Sequence, residues 1–104
     1  MPKIVAGITV FNPEEDRLID NINATLLQVD KLYIVDNASN NTEAIKQKLS
    51  ENEKIVLIEN KENLGVATAL NQMCESAIND GADFILTLDQ DSLPEPDIIE
   101  KYSE

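Results

Sequence analysis

Two carboxylates separated by one residue stand in the segment Thr87-Leu88-Asp89-Gln90-Asp91-Ser92, directly after an apolar run. On extended backbone, residues two apart face the same side. Two such charges about 5 Å apart, at an effective dielectric of about 20, repel by roughly 3 kcal/mol. A hard divalent cation offsets that repulsion, and magnesium or manganese would take carboxylate oxygen together with phosphate oxygen and water. The plainer use of the same residues is a polar loop with one acid capping a helix. Two other acid motifs can be tested against the spacing. A calcium loop fails, because Leu93 and Pro94 stand where it needs an acid or amide and then glycine. A phosphotransfer motif with Asp89 as nucleophile ordinarily has Thr or Val where this chain has Leu93, and it closes a first strand rather than a fourth. It is kept as an alternative.

A second polar segment, Asp36-Asn37-Ala38-Ser39-Asn40-Asn41, follows another apolar run. A carboxylate offers only acceptors, so Asp36 could receive the imide N–H of a uracil or thymine ring. Turn formation through Asx side chains is the simpler alternative. A third segment, Asn63-Leu64-Gly65-Val66-Ala67, opens a helical pattern. Glycine there lets a ligand approach the backbone, and helix N-termini attract phosphate; simple capping by Asn63 competes with that. The segment is neither a dinucleotide fingerprint nor a P-loop. The chain has no histidine and one cysteine, Cys74. Serine–histidine triads, histidine-ligated zinc and an internal disulfide are therefore excluded.

These segments need a scaffold that brings them together. Four β-branched runs, Ile4–Val10, Leu32–Val35, Ile55–Ile58 and Phe84–Leu88, are near-continuous rather than alternating, as in strands covered on both faces of a parallel sheet. Helical patterns fill the gaps. Asn12-Pro13-Glu14-Glu15 reads as a cap, a first-position proline and an acidic first turn, followed by an apolar face of Leu18, Ile19, Ile22 and Leu26. A short helix carries Ile45 and Leu49 inward. A longer one aligns Leu70, Met73, Cys74, Ala77 and Ile78 and stops at Gly81. Pro94 to Asp97 resembles a further helix start, with only Ile98 to Glu104 after it. Glu14, Glu15, Glu51, Glu53 and Glu62 read as solvated surface. Alternating strands and helices predict an α/β fold, a doubly wound, mostly parallel sheet with helices on both faces. Ligands of such sheets lie beyond the carboxyl ends of the strands. The residues to weigh are then Thr9 to Asn12, Asp36 to Asn41, Glu59 to Gly65 and Asp89 to Ser92.

Composition narrows the partners. The chain has 104 residues, 8 basic and 20 acidic side chains and a formal charge of −12, which fits one domain and disfavours nucleic acid. The aromatics Phe11, Tyr33, Phe84 and Tyr102 are too few for base-stacking platforms. An acidic chain holding a phosphorylated ligand needs backbone N–H groups or a cation as intermediary. No apolar run approaches the ~20 residues of a membrane span, and Met1-Pro2-Lys3 leads straight into a strand without a signal-peptide core. The glycosylation sequons at Asn23, Asn37 and Asn40 are read as chance. These features predict a cytoplasmic, reducing setting.

Taken in order, the segments resemble family 2 glycosyltransferases of the GT-A fold, over nearly the whole chain. The likeness rests on Thr9-Val10-Phe11-Asn12-Pro13, Val35-Asp36-Asn37-Ala38-Ser39, Asn63-Leu64-Gly65-Val66-Ala67-Thr68-Ala69-Leu70-Asn71 and Leu86-Thr87-Leu88-Asp89-Gln90-Asp91-Ser92. The last is similar to the rhamnosyltransferase branch, where D-Q-D-S is a common form of the metal motif. The resemblance implies that Thr9, Val10 and Phe11 line the base, that Asp36 binds the pyrimidine imide, and that Asn63 and Gly65 border the nucleotide pocket. It implies that Asp89 lies near ribose or metal and that Asp91 coordinates the Mg or Mn ion on the donor diphosphate. The implied donor is dTDP-rhamnose and the acceptor a glycan or lipid-linked glycan, with the whole protein at the inner face of the membrane. The implied chemistry is an inverting displacement whose base and acceptor site lie beyond Glu104. The 104 residues are thus expected to form the donor half of a longer domain, inactive alone and able to self-associate through a truncated surface. One departure stands out: the family often has glycine shortly after the helix asparagine, where this chain has Met73 and Cys74, and altered packing is expected there. An acidic, non-catalytic α/β interaction module is the remaining alternative.

Overall fold

Strands and helices alternate without exception in a computed structural model that describes residues 3–49 and 52–89, with backbone alone at Asp89. The order is β1 (Ile4–Val10), α1 (Glu15–Leu26), β2 (Lys31–Asn37), α2 (Thr42–Leu49), β3 (Ile55–Asn60), α3 (Val66–Asn79) and β4 (Phe84–Asp89). All pairings are parallel, in the spatial order β3-β2-β1-β4. This is the doubly wound sheet that the sequence predicts. Strands two to four run one or two residues beyond their apolar stretches, because ladder bonds continue through Asp36, Asn37, Glu59, Asn60 and Asp89 whatever the side chain.

Alternation along the strands divides the core in two. Ala6, Ile8 and Val10 of β1 with Leu32 and Ile34 of β2 meet Leu18 and Ile22 of α1 and Ile45 and Leu49 of α2. On the opposite face, Val5, Tyr33 and Val35 meet Ala69, Met73 and Ala77 of α3. The inner strands β1 and β2 are buried on both faces as expected, whereas the edge strands β3 and β4 are only half-covered. Phe84 on β4 and Ile78 on α3 are 62% and 74% exposed. Among the described residues no helix is long and apolar enough to cross a membrane.

Three local expectations change. Helix α1 is capped by Glu14, whose carboxylate accepts from the backbone N–H groups of Asp16 and Arg17 at 3.2 and 3.0 Å, not by Asn12. Asn12 instead turns the chain in the left-handed region, at φ 46°, and its side chain is used elsewhere. Glu14 is therefore a cap and not only solvated surface. Glu15 pairs with Lys48 of α2 at 3.2 Å. The stripe of α3 is narrower than drawn from sequence: Ala69, Met73 and Ala77 are buried, and Ile78 is not. A spacing of four keeps those three residues on one line down the helix.

Met73 explains how α3 approaches the sheet. It is fully buried, and a Cβ on Gly7 of β1 would collide with its Sδ, so the glycine opens the notch that the methionine fills. The helix ends as predicted at Gly81, φ 75°. Ala82 N–H donates to Ala77 carbonyl oxygen at 2.9 Å and Gly81 N–H to Ile78 carbonyl oxygen at 3.0 Å, a Schellman closure. The acids at the starting edge of the sheet are structural. Asp30 accepts from Ile4 N–H at 2.9 Å, Asp83 accepts from Lys3 N–H at 2.6 Å, and Asp80 receives Tyr33 hydroxyl and, at 2.9 Å, Lys31 Nζ.

Candidate functional site

The winding reverses between β1 and β4. The chain moves from β1 to β2 and β3 on one side, then returns to place β4 on the other side of β1. Crevices at such switch points, outside the carboxyl ends of the strands, are where these sheets hold ligands. The register brings three of the predicted segments to that rim: Thr9 pairs with Asp89 on one side and Val35 on the other, and Val10 pairs with Asp36. At about 4.8 Å per strand, Asp89 and Asp36 stand on backbones roughly 10 Å apart, with β1 between them.

Each predicted residue has a distinct position. Thr9 is half-buried at the end of β1, and Phe11 is 47% exposed just beyond it. Val10 is fully buried in the core with α1 and α2, so only its backbone can face a ligand. Asp36 is 1% exposed. Its two oxygens accept from Ser39 N–H at 3.0 Å and from Thr42 hydroxyl at 2.6 Å. The Asx-turn chemistry weighed as its alternative is therefore in use, and it carries Ala38 through the left-handed region at φ 65°. The neighbouring loops are laced together. Asn12 N–H donates to Ser39 Oγ at 2.8 Å, Asn40 N–H to Asn12 Oδ1 at 2.7 Å, and Asn41 Nδ2 to Pro13 carbonyl oxygen at 3.1 Å.

The third segment forms the start of α3. Asn63 Oδ1 accepts from Gly65 N–H at 2.9 Å. Gly65 has φ 87° and ψ 165°, a region essentially restricted to glycine, and nothing lies within 4 Å of where a Cβ would be. No side chain caps α3, and Leu64 and Val66 are 42% and 64% exposed. The first turn thus presents backbone N–H groups and apolar surface at the same rim. Asn37 Nδ2, at the end of β2, donates to Gly65 carbonyl oxygen at 3.3 Å and ties this turn to the sheet.

The fourth segment is described only to its first acid. Asp89 closes β4 opposite Thr9; Asp91 lies outside the described residues. Among the described residues no group of three or more His, Cys, Asp or Glu assembles to hold a metal. The predicted helix start at Pro94 to Asp97 also lies outside the described residues, as does Glu51.

A family model for glycosyl transferase family 2 matches residues 6–103. The chain belongs to glycosyl transferase family 2. Among its relatives is a dTDP-rhamnosyl transferase, RfbF, of Shigella flexneri, 35% identical over 104 residues, which cover 96% of this chain and 33% of that protein. Poly-beta-1,6-N-acetyl-D-glucosamine synthases of two Staphylococcus aureus strains, MSSA476 and MW2, are each 32% identical over 88 residues, 81% of this chain and 21% of theirs. The chain thus spans a third or less of the length of these family 2 relatives. Its sheet and helices are those of the nucleotide-binding half of the GT-A fold.

Motif reasoning weighs Asn37 and Asn60 as rim residues of this family 2 domain but shows neither their link to each other nor Gln72. Asn60 and Gln72 pair reciprocally, Asn60 Nδ2 to Gln72 Oε1 at 3.0 Å and Gln72 Nε2 to Asn60 Oδ1 at 2.9 Å. Asn60 Nδ2 also donates to Asn37 Oδ1 at 2.8 Å. A polar residue closing an apolar run was the one available signal, at Asn37 and at Asn60. Gln72 gave none, since a glutamine within a helix is ordinary.

Proposed function

We propose that the chain supplies the donor half of a metal-assisted, inverting glycosyltransferase whose donor is a nucleoside-diphosphate sugar, dTDP-rhamnose, and whose acceptor is a glycan or lipid-linked glycan. The supporting observation is the convergence of Thr9, Asp36, Gly65 and Asp89 on the carboxyl rim at the switch point between β1 and β4. The rhamnosyl donor is favoured by the Shigella relative and by the D-Q-D-S form at Asp89 to Ser92. Phe11 offers an apolar face for the base, and Asn63 and Gly65 offer a close backbone approach. Each carboxylate oxygen of Asp36 has a second lone pair, and the imide N–H would use one. Because Asp36 is buried, the loop at Ala38 must give way as the ring enters. Asp89 and Asp91 would hold a magnesium or manganese ion, which when bound offsets charge on the diphosphate. The rim residues would hold the nucleotide in place while an acceptor hydroxyl attacks the anomeric carbon with inversion and the bond from that carbon to the diphosphate oxygen breaks. The base that takes the hydroxyl proton is assigned beyond Glu104, and the 104 residues alone are expected to bind donor without transferring sugar. A cytoplasmic setting, at the inner membrane face, follows from such a donor and acceptor.

Thermal unfolding with dTDP and manganese tests this reading. Ligand at 100 times its Kd adds ~2.7 kcal/mol to the stability of the protein that binds it. The shift is expected in the wild type, reduced in Asp36→Asn and absent in Asp91→Ala. No shift in the wild type, or an equal shift in Asp91→Ala, overturns it. Trapping by beryllium fluoride with hydrolysis of a simple phosphate ester would instead support Asp89 as a phosphoryl acceptor. Sugar transfer by the 104 residues alone would overturn the assignment of the base.

A further inference from the structure

We propose that the carboxamides of Gln72, Asn60 and Asn37 form a positioning relay that sets the Gly65 turn for the donor nucleotide; this rests on the function proposed above. The relay joins three elements. Gln72 on the second turn of α3 and Asn60 at the end of β3 are locked by two opposed amide bonds of 3.0 and 2.9 Å. Asn60 spends its remaining N–H on Asn37 Oδ1 at the end of β2, at 2.8 Å. Asn37, 2% exposed, passes its own N–H to Gly65 carbonyl oxygen at 3.3 Å. That carbonyl also accepts Ala69 N–H at 3.2 Å, the first bond of the helix. Asn63 holds the N–H side of the same residue at 2.9 Å. The Gly65 turn is thus fixed from both sides by neutral amides, none of which changes charge with pH.

Packing alone does not require this. The helix is already seated by Ala69, Met73 and Ala77 on the sheet and by the Met73–Gly7 notch, all further along its length. The relay acts on the exposed turn at the rim that precedes them. Its amides need good geometry to satisfy one another, the buried Asn37 most of all, with Asn60 and Gln72 half-buried beside it. A ligand held by backbone groups depends on such support, since small displacements of a binding group lower affinity steeply. Gln72, Asn60 and Asn37 are positioning residues in this scheme and touch no donor atoms.

The test compares Gln72→Met, which keeps the length and removes the amide, with the exchange Asn60→Gln/Gln72→Asn, which keeps both amides and their summed reach. Two readouts are taken on the 104-residue chain: dTDP affinity with manganese by calorimetry, and the 1H–15N resonance of Gly65. Gln72→Met is expected to weaken dTDP about tenfold and to move the Gly65 resonance, while the core resonances of Val5 and Val35 stay in place. The exchange is expected to return both readouts toward wild type. An unmoved Gly65 resonance in Gln72→Met overturns the relay whatever the affinity. A moved resonance with unchanged dTDP affinity overturns its role toward the donor. A wild type that binds no dTDP overturns the proposed function and the purpose given to the relay, while the Gly65 resonance separately decides whether the turn is held this way.

Discussion

Two residues at the rim adopt backbone conformations that their side chains do not explain, and they make opposite predictions. Gly65 at φ 87° and ψ 165° has open space where a Cβ would stand, so Gly65→Ala has no neighbour to strike. The backbone alone should cost about 1–3 kcal/mol, read as a lower urea midpoint. Ala38 at φ 65° is a left-handed alanine carried there by the Asp36 turn. Ala38→Gly removes the Cβ conflict, and after the larger entropy of an unfolded glycine it should stabilise by ~0.5–1 kcal/mol. A lower urea midpoint in Ala38→Gly would show that the turn is not strained. Asp36 itself was open to two uses in sequence, imide acceptor or turn former. The second is present in the fold, and the first depends on the loop that Ala38 helps to form.

At the scale of elements, β1 and α3 are matched as notch and knob. Gly7→Ala places a methyl against Met73 and should destabilise by about 1–3 kcal/mol, while Met73→Ala should cost about 2–5 kcal/mol through the cavity it leaves. Combined, the two changes should fall short of their sum by roughly 0.5–3 kcal/mol, because the new methyl enters the space the methionine vacates. Additive effects in a denaturation cycle would mean that the two residues do not share that space. Helix α1 teaches a related lesson. The proline that suggested a first helical position lies before the helix. Asn12 is committed to the neighbouring loop through Asn40 N–H, and Glu14 takes the cap instead. Capping residues compete for several backbone groups, and tertiary partners decide which they meet.

At the scale of the molecule, charge and topology set the behaviour. A formal charge of −12 is spread over a body with a radius of gyration of 12.8 Å. The screening length is ~30 Å at ~0.01 M salt and ~8 Å at ~0.15 M. Self-repulsion therefore acts across the whole body at low salt and only locally at physiological salt. The thermal midpoint should rise with sodium chloride over that range, and a midpoint independent of salt would show that the acids are locally compensated. Under the proposed function, the same charge would make a cation the natural intermediary for a donor diphosphate at the rim. It is the reversal of winding at β1, bringing β4 beside it, that lets Asp89 stand opposite Thr9.

The sequence by itself determined the alternation of elements, the covered inner strands and the polar segments that end them. Those follow from side-chain periodicity, which is local and survives without knowledge of neighbours. It also carried the family, whose model matches residues 6–103. Only the tertiary structure decided that Val10 is core, that Ile78 is exposed, that Gly7 exists for Met73, and that Asn37, Asn60 and Gln72 join hands behind Gly65. Each of these depends on what a residue meets across the sheet, and parallel strands bring together residues far apart in sequence whose pairing no local pattern encodes.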